Sequence, residues 1–100
     1  MEVALIKNFK GKPTDDLYHG IKSNDARKIP LNIWNVAHRK LDMLNSAEEL
    51  RDLLAFPGNR LEALRGGLKG KYSIRINDQF RIIFRFEAGN AFDVEIMDYH

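Results

Sequence analysis

The spacing of apolar residues along the chain changes near Pro57. Before it, apolar residues recur every three or four positions in one stripe, which comprises Ile33, Trp34, Ala37, Leu41 and Leu44. This stripe predicts a core helix over residues 30–45. After it, apolar and polar residues alternate in four segments, and these are 60–65, 71–77, 80–86 and 91–99. Helices followed by an antiparallel sheet predict an α+β domain whose helices pack on one apolar sheet face.

Shorter elements are predicted before Pro57. Residues 3–9 are a short, mainly apolar run that predicts a strand, and the Gly-Lys-Pro sequence that follows ends it. A first helix is expected from about Thr14, since acidic residues follow there in the first turn. Ser46 and Glu49 have the spacing of a capping box, which predicts a third helix that ends at Pro57.

The alternation also predicts the register of the sheet. For the apolar side chains to share one face, both turns must hold three residues, at 77–79 and 88–90. The same register pairs Arg85 with Asp93. The shared apolar face then comprises Ile74, Ile76, Phe80, Ile82, Phe84, Phe86, Val94 and Ile96.

On the opposite face this register sets Arg75 directly across from Arg81. Like charges that face each other on adjacent strands destabilise a sheet unless something neutralises them. A bound phosphodiester suits the guanidinium fork and is one candidate. The alternative is a structural pair with Glu95, which lies diagonal to Arg81, as does Tyr99.

Composition narrows the class of protein. The chain has 100 residues, the size of one domain, and it has no cysteine for a disulfide, a thiolate nucleophile or a thiolate metal site. We expect a cytoplasmic protein, because no apolar run is long enough to span a membrane and the N-terminal residues lack a signal-peptide pattern. The net charge is only +2, but residues 60–85 carry seven bases against two acids. That concentration is typical of a polyanion-binding face, although an ordinary solvated strand surface is an equal alternative.

The loop at 65–71, "RGGLKGK", adds three glycines and three bases to this region. Its backbone amides and lysines can approach phosphate oxygens. The GxxxxGK[ST] pattern of nucleotide-hydrolysing enzymes is absent, so such an enzyme is not supported.

Residues 59–100, "NRLEALRGGLKGKYSIRINDQFRIIFRFEAGNAFDVEIMDYH", resemble the C-terminal half of the HigB-type toxins of the RelE superfamily. The glycines, the arginine after Phe80 and the final Asp-Tyr-His agree with that family in order. The resemblance implies a microbial-RNase-like fold and a toxin that cleaves messenger RNA on the ribosome through its 2′-hydroxyl. It implies no metal and no other cofactor. The implied partners are the ribosome and a HigA-like helix-turn-helix antitoxin, in a hetero-oligomer.

The resemblance also implies roles for individual residues. Arg81 matches the arginine expected to stabilise the phosphorane, and Asp98, Tyr99 and His100 match the family's catalytic tripeptide. We predict His100 as general acid, Tyr99 as a group that binds the substrate and Asp98 as an orienter of His100. Glu62 stands where some members have a catalytic histidine; it is a candidate general base or else a surface partner of a neighbouring arginine.

Basic residues on and around the sheet are predicted to hold RNA. These are Arg65, Lys69, Lys71, Arg75, Lys7, Lys10 and Lys12. Two other functions remain open. One is a non-enzymatic ParE-like toxin that binds DNA gyrase, and the other is an interaction module of a toxin–antitoxin repressor complex.

Overall fold

A computed structural model describes residues 5–99. The helices are α1 (Lys12–Tyr18), α2 (Trp34–Ser46) and α3 (Leu50–Leu54), and the strands are β1 (Glu62–Ala63), β2 (Tyr72–Arg75), β3 (Phe80–Glu87) and β4 (Asn90–Asp98). The four strands form one antiparallel sheet in the order β1-β2-β3-β4. The predicted α+β arrangement is therefore confirmed.

The core lies between α2 and the apolar face of the sheet. The predicted stripe of α2 is confirmed, since Ala37, Leu41 and Leu44 are fully buried. They pack in one cluster with sheet residues such as Ile82 and Phe84. Trp34 is only half-buried, and its indole N–H donates to the Ile29 carbonyl oxygen over 2.8 Å. Burial of this shared surface fixes which face of the sheet remains open.

The turn between β2 and β3 follows the prediction. Asn77 Oδ1 accepts hydrogen bonds from the backbone N–H groups of Gln79 and Phe80, at 2.9 and 2.7 Å. Arg75 lies directly opposite Arg81, as expected. The face that carries the arginines is thus correctly assigned.

The predicted three-residue turn at 88–90 is wrong. The turn holds two residues, Ala88 and Gly89, both with positive φ (50° and 79°), and Asn90 already pairs with Glu87. Positive φ at both turn residues is typical of tight β-hairpins. An irregularity between Ile83 and Arg85 then shifts the register by one residue. Beyond it the predicted pairs reappear, because Asp93 is accommodated as an extra residue with φ 54°.

Several element boundaries also differ from the sequence prediction, and the core helix begins at Trp34 rather than at residue 30. Helix α1 begins at Lys12, because Pro13 is favourable in a first turn. Helix α3 is capped at Glu49, where Asp52 Oδ2 accepts the Glu49 amide over 3.0 Å; Ser46 instead ends α2. The strand predicted at 60–65 shortens to β1, because Arg60 has a left-handed φ of 45°.

The strand predicted at 3–9 is present only as isolated bridges within the described residues. Ile6 pairs with Ala91 and Phe9 pairs with Val94, both in parallel. Residues 3 and 4 lie outside the described part. The segment from residue 5 to 10 therefore runs along β4, at the edge of the sheet opposite β1. Among residues 5–99, no helix is both long and apolar enough to cross a membrane.

Asp16 links α1 to the following loop. Its buried carboxylate accepts from Lys12 Nζ (2.8 Å) and Ser23 Oγ (2.6 Å). These two hydrogen bonds lower the pKa of Asp16 below its usual 3.8, and the bond from Lys12 has the larger effect. This contribution to stability is complete above pH 3.8 and is lost as pH falls through the lower folded pKa.

Replacement of Asp16 by Asn is therefore expected to flatten the acid limb of the stability curve. Thermal melting from neutral to acidic pH tests this, because the melting temperature of the parent chain should fall more steeply than that of Asp16→Asn. Parallel curves for the two proteins would show that Asp16 has no such role.

Candidate active site

The open face of the sheet holds Arg81 in one orientation. Its side chain is only 12% exposed. Nε donates to Ser73 Oγ over 2.8 Å, and Nη2 donates to the Arg60 carbonyl oxygen over 2.6 Å. Glu62 Oε1 lies 3.7 Å from Nη2. Groups from β1, β2 and the turn before β1 thus surround one guanidinium.

The predicted conflict between Arg75 and Arg81 is resolved inside the chain. Arg75 pairs with Asp78 in the following turn, and Arg81 pairs with Glu62 on β1. The alternative in which Glu95 neutralises Arg81 is wrong, because the carboxylate that lies near the Arg81 guanidinium is that of Glu62. Facing arginines therefore do not by themselves require a bound anion here.

Ser73 is a site residue that the sequence interpretation missed. It is fully buried, and its hydroxyl receives the Nε–H of Arg81. The predicted register contained a signal for it, since Ser73 is a small polar residue on the face and strand of Arg75 and lies diagonal to Arg81. Its hydroxyl restricts rotation of the Arg81 side chain.

Replacement of Ser73 by Ala is expected to lower both stability and Arg81-dependent activity. A single lost hydrogen bond of this kind is worth about 1 kcal/mol, which is roughly fivefold to tenfold in an equilibrium. Thermal melting and cleavage rates measure the two effects. Unchanged activity in a folded Ser73→Ala protein would show that the hydroxyl does not orient Arg81.

Tyr99 and Glu62 share an open cleft of about 560 Å³ at the β1 edge. Its lining residues are Glu62, Ala63, Leu64, Arg65 and Tyr99. The Tyr99 backbone N–H donates to the Gln79 carbonyl oxygen over 2.7 Å, which extends β4 pairing to the end of the described chain. Glu62 and the exposed Arg65 therefore line the same cleft as Tyr99, and the Glu62 carboxylate lies beside the Arg81 guanidinium.

Asp98 lies on a different side of the sheet from Arg81. It pairs with Phe80, whose ring packs against the core, and its carboxylate accepts from Gln79 Nε2 over 3.0 Å. The regular alternation of the strand thus continues to this residue. His100 lies outside the described residues, so its predicted role and its orientation by Asp98 remain predictions.

The residues predicted to bind RNA are spread over the sheet. Arg65 and Lys69 follow β1. Lys71 and Arg75 lie beside and on β2. Lys7 and Lys10 lie in the segment from residue 5 to 10, and Lys12 begins α1. The two outer groups are separated by the width of the sheet, about 19 Å for four strand spacings.

Two of the N-terminal lysines are more accessible to a ligand than the third. Lys7 and Lys10 are exposed and have no carboxylate partner among residues 5–99. Lys12 donates to Asp16, and this bond raises the pKa of Lys12. Within the same described range, no group of three or more His, Asp or Glu residues is arranged to hold a metal ion.

A solved structure shares this fold over its whole length. The chain is similar to a chain of the YoeB–YefM complex from Staphylococcus aureus, with a TM-score of 0.52 and 17% sequence identity. The match covers 100% of this chain and 99% of that one. A likeness at this identity establishes the fold class alone.

Sequence comparisons define the family. The profile of the HigB-like toxins, described as RelE-like toxins of the type II toxin–antitoxin system HigB, matches residues 7–100. Toxin HigB-1 of Vibrio cholerae is 44% identical over 87 residues, which are 87% of this chain and 90% of that protein. Endoribonuclease HigB of Proteus vulgaris is 30% identical, with 96% of this chain and all of that protein covered. The chain belongs to the HigB-like toxins of type II toxin–antitoxin systems.

Proposed function

We propose that this toxin is an endoribonuclease that cleaves messenger RNA on the translating ribosome. The observation that carries the proposal is the guanidinium of Arg81, fixed by Ser73 and Arg60 beside the cleft that Glu62 and Tyr99 line. The relative from Proteus vulgaris is named as an endoribonuclease, which supports the same activity here.

The reaction we propose uses the RNA's own 2′-hydroxyl as the nucleophile. Glu62 accepts the proton of this hydroxyl as its oxygen attacks the adjacent phosphorus. The bond from phosphorus to the 5′-oxygen then breaks, and His100 donates a proton to that oxygen. The products are a 2′,3′-cyclic phosphate and a 5′-hydroxyl end. Tyr99 contacts the substrate beside the scissile bond.

Arg81 supplies the electrostatic part of this reaction. Its Nε and one Nη2 hydrogen are already bound to neutral oxygens, so the guanidinium does not have to reorient when charge develops. The remaining Nη hydrogens can bind the phosphorane oxygens. Glu62 Oε1 lies 3.7 Å from Arg81 Nη2. The carboxylate is thus close enough to accept the proton of the 2′-hydroxyl next to the phosphate that Arg81 binds.

The basic residues near β1, near β2 and in the N-terminal part of the chain would hold ribosomal and messenger RNA. Such contacts release counterions, so binding weakens as salt rises. We expect Lys7 and Lys10 to contribute more than Lys12, whose ammonium is already bound to Asp16. The proposed protein partner is a HigA-like helix-turn-helix antitoxin in a cytoplasmic hetero-oligomer.

A purified system tests the activity. The chain and its Arg81→Ala variant are each incubated with a defined message, with and without ribosomes that are translating it. Cleavage only by the parent chain, and only on ribosomes, is the expected result. Equal cleavage of free message would contradict ribosome dependence, and intact message in every sample would contradict the enzymatic proposal.

A further inference from the structure

Lys40 is a buried cation on α2 that the proposed reaction leaves without a role. The residue is 8% exposed. Its ammonium donates to the carbonyl oxygens of Arg75 (2.6 Å) and Gly58 (3.3 Å). Within residues 5–99 no carboxylate pairs with it, whereas Lys12 and Lys28 each have one. Burial, with Arg39, Arg75 and Arg81 as further causes, lowers the pKa of Lys40.

A buried charge without a counter-charge is a poor way to stabilise a fold. Desolvation of an ammonium is unfavourable unless strong contacts compensate for it, and an apolar side chain of similar volume is often as stable. The contacts that Lys40 makes therefore point to a role in placing the two segments that it joins.

Both segments carry the groups that orient Arg81. Gly58 lies in the short turn Pro57–Asn59, and Arg60, which follows it, presents the carbonyl that binds Arg81 Nη2. Arg75 ends β2, the strand on which Ser73 binds Arg81 Nε. The ammonium of Lys40 thus joins the turn to the strand between which the guanidinium is bound.

The turn needs such an anchor because its conformation is strained. Arg60 has a φ of 45°, which is uncommon for a residue with a side chain. A second tie comes from Asn59, whose buried Nδ2 donates to the Leu53 carbonyl oxygen over 3.1 Å. Backbone in such a region persists only where surrounding contacts determine it.

We propose that Lys40 is a positioning residue for Arg81: its ammonium ties the 57–59 turn to the end of β2, so that the Arg60 carbonyl and the Ser73 hydroxyl hold the guanidinium ready for a phosphate. The effect on cleavage rests on the proposed function. The geometric part is independent of it.

The test follows the Arg81 side chain directly. In Lys40→Met the stem is kept and the ammonium is lost. By NMR, exchange of the Arg81 Nε hydrogen with water should become roughly tenfold faster, as expected when one well-formed hydrogen bond is lost. In the ribosomal cleavage assay, kcat should fall about as much while KM stays unchanged, since message binding relies on other residues.

A matched control separates positioning from a general loss of stability. Leu17→Ala removes a buried side chain, 4% exposed, on the helical side of the core. This variant should melt at a lower temperature but keep the slow Arg81 Nε exchange and the parent kcat. If Lys40→Met does not fold, Lys40→Leu, which also removes the ammonium, is measured by the same two readouts and the same criteria.

Folded Lys40→Met with the parent Arg81 exchange and the parent kcat would overturn the proposal, whatever its melting temperature. The outcome differs from a failure of the proposed function. If Arg81→Ala still cleaved messages, Arg81 would have no catalytic role, yet faster Nε exchange in Lys40→Met would still establish the tie.

Discussion

Arg81→Ala is expected to lower the rate of message cleavage roughly a hundredfold to a thousandfold and to abolish toxicity. The reason is that Arg81 is the oriented cation of the site, with Nε and Nη2 fixed by Ser73 and Arg60. A charge-stabilising donor of this kind acts mainly in the transition state, so the loss should appear in kcat. Arg81→Lys, which keeps the charge but loses the planar fork, should recover only part of the rate.

The structure changes what to expect for the folding of this variant. The sequence alone predicts intact or slightly improved folding, because repulsion with Arg75 is removed. In the structure Arg81 is bound to Ser73 and Arg60, so Arg81→Ala leaves the buried Ser73 hydroxyl without this partner. We now expect a folded protein that is less stable by about 1–3 kcal/mol. An unfolded variant would make Arg81 a structural residue, and undiminished cleavage would exclude its proposed role.

Glu62→Gln is expected to reduce cleavage on the order of 10² to 10⁴-fold, as befits loss of a general base. The substitution keeps the shape of the side chain and removes only the carboxylate. Glu62 lines the cleft with Tyr99 and lies 3.7 Å from Arg81 Nη2, where a base for a neighbouring hydroxyl is required. Its side chain is 57% exposed, so a substrate can reach it.

The size of the loss in kcat separates a base from a mere ion-pair partner. A general base takes part in the proton transfer itself, so Glu62→Gln should lower kcat, whereas loss of an ion-pair partner alone should leave kcat close to the parental value. His100→Ala should also lower kcat, as expected for loss of a general acid. A near-parental rate for Glu62→Gln would leave Glu62 as a surface partner of Arg81 and the base unassigned.

Glu87→Gln is the matched control for this experiment. Glu87 also pairs with an arginine on the same sheet, Arg85, at 2.8 Å between Nη1 and Oε2. It lies at the far end of β3 from Arg81, outside the cleft. Cleavage by Glu87→Gln should match the parent chain, because an exposed ion pair contributes little to stability.

The two hairpins show what local sequence can and cannot predict about this fold. The turn after β2 is predicted correctly because Asn77 has the side chain that such a turn uses. The turn after β3 is not, because Ala88 adopts a positive φ that its side chain does not favour. The faces are correct from Val94 onward even so, since the irregularity near Asp93 offsets the shorter turn, but between the turn and Asp93 the faces of Ala91 and Phe92 are exchanged.

The candidate site divides in the same way. Register and family resemblance predict Arg81, Glu62 and Tyr99, and the structure brings all three to one region of the open face. The groups that fix Arg81 were not predicted. The Arg60 carbonyl oxygen belongs to a backbone segment 21 residues away, and the Ser73 hydroxyl was missed although the predicted register contained a signal for it. Lys40 reaches carbonyls 18 and 35 residues away, and no local pattern reports such a contact.

The central claim is that the chain cleaves translated messages, and mapping of messenger 5′ ends tests it most directly. After induction in a growing culture, the parent chain should produce new 5′ ends within coding regions, phased with codons, and Arg81→Ala should produce none. Message cutting should be accompanied by growth arrest. Intact messages together with altered supercoiling of plasmid DNA would contradict the account and favour a gyrase-binding toxin.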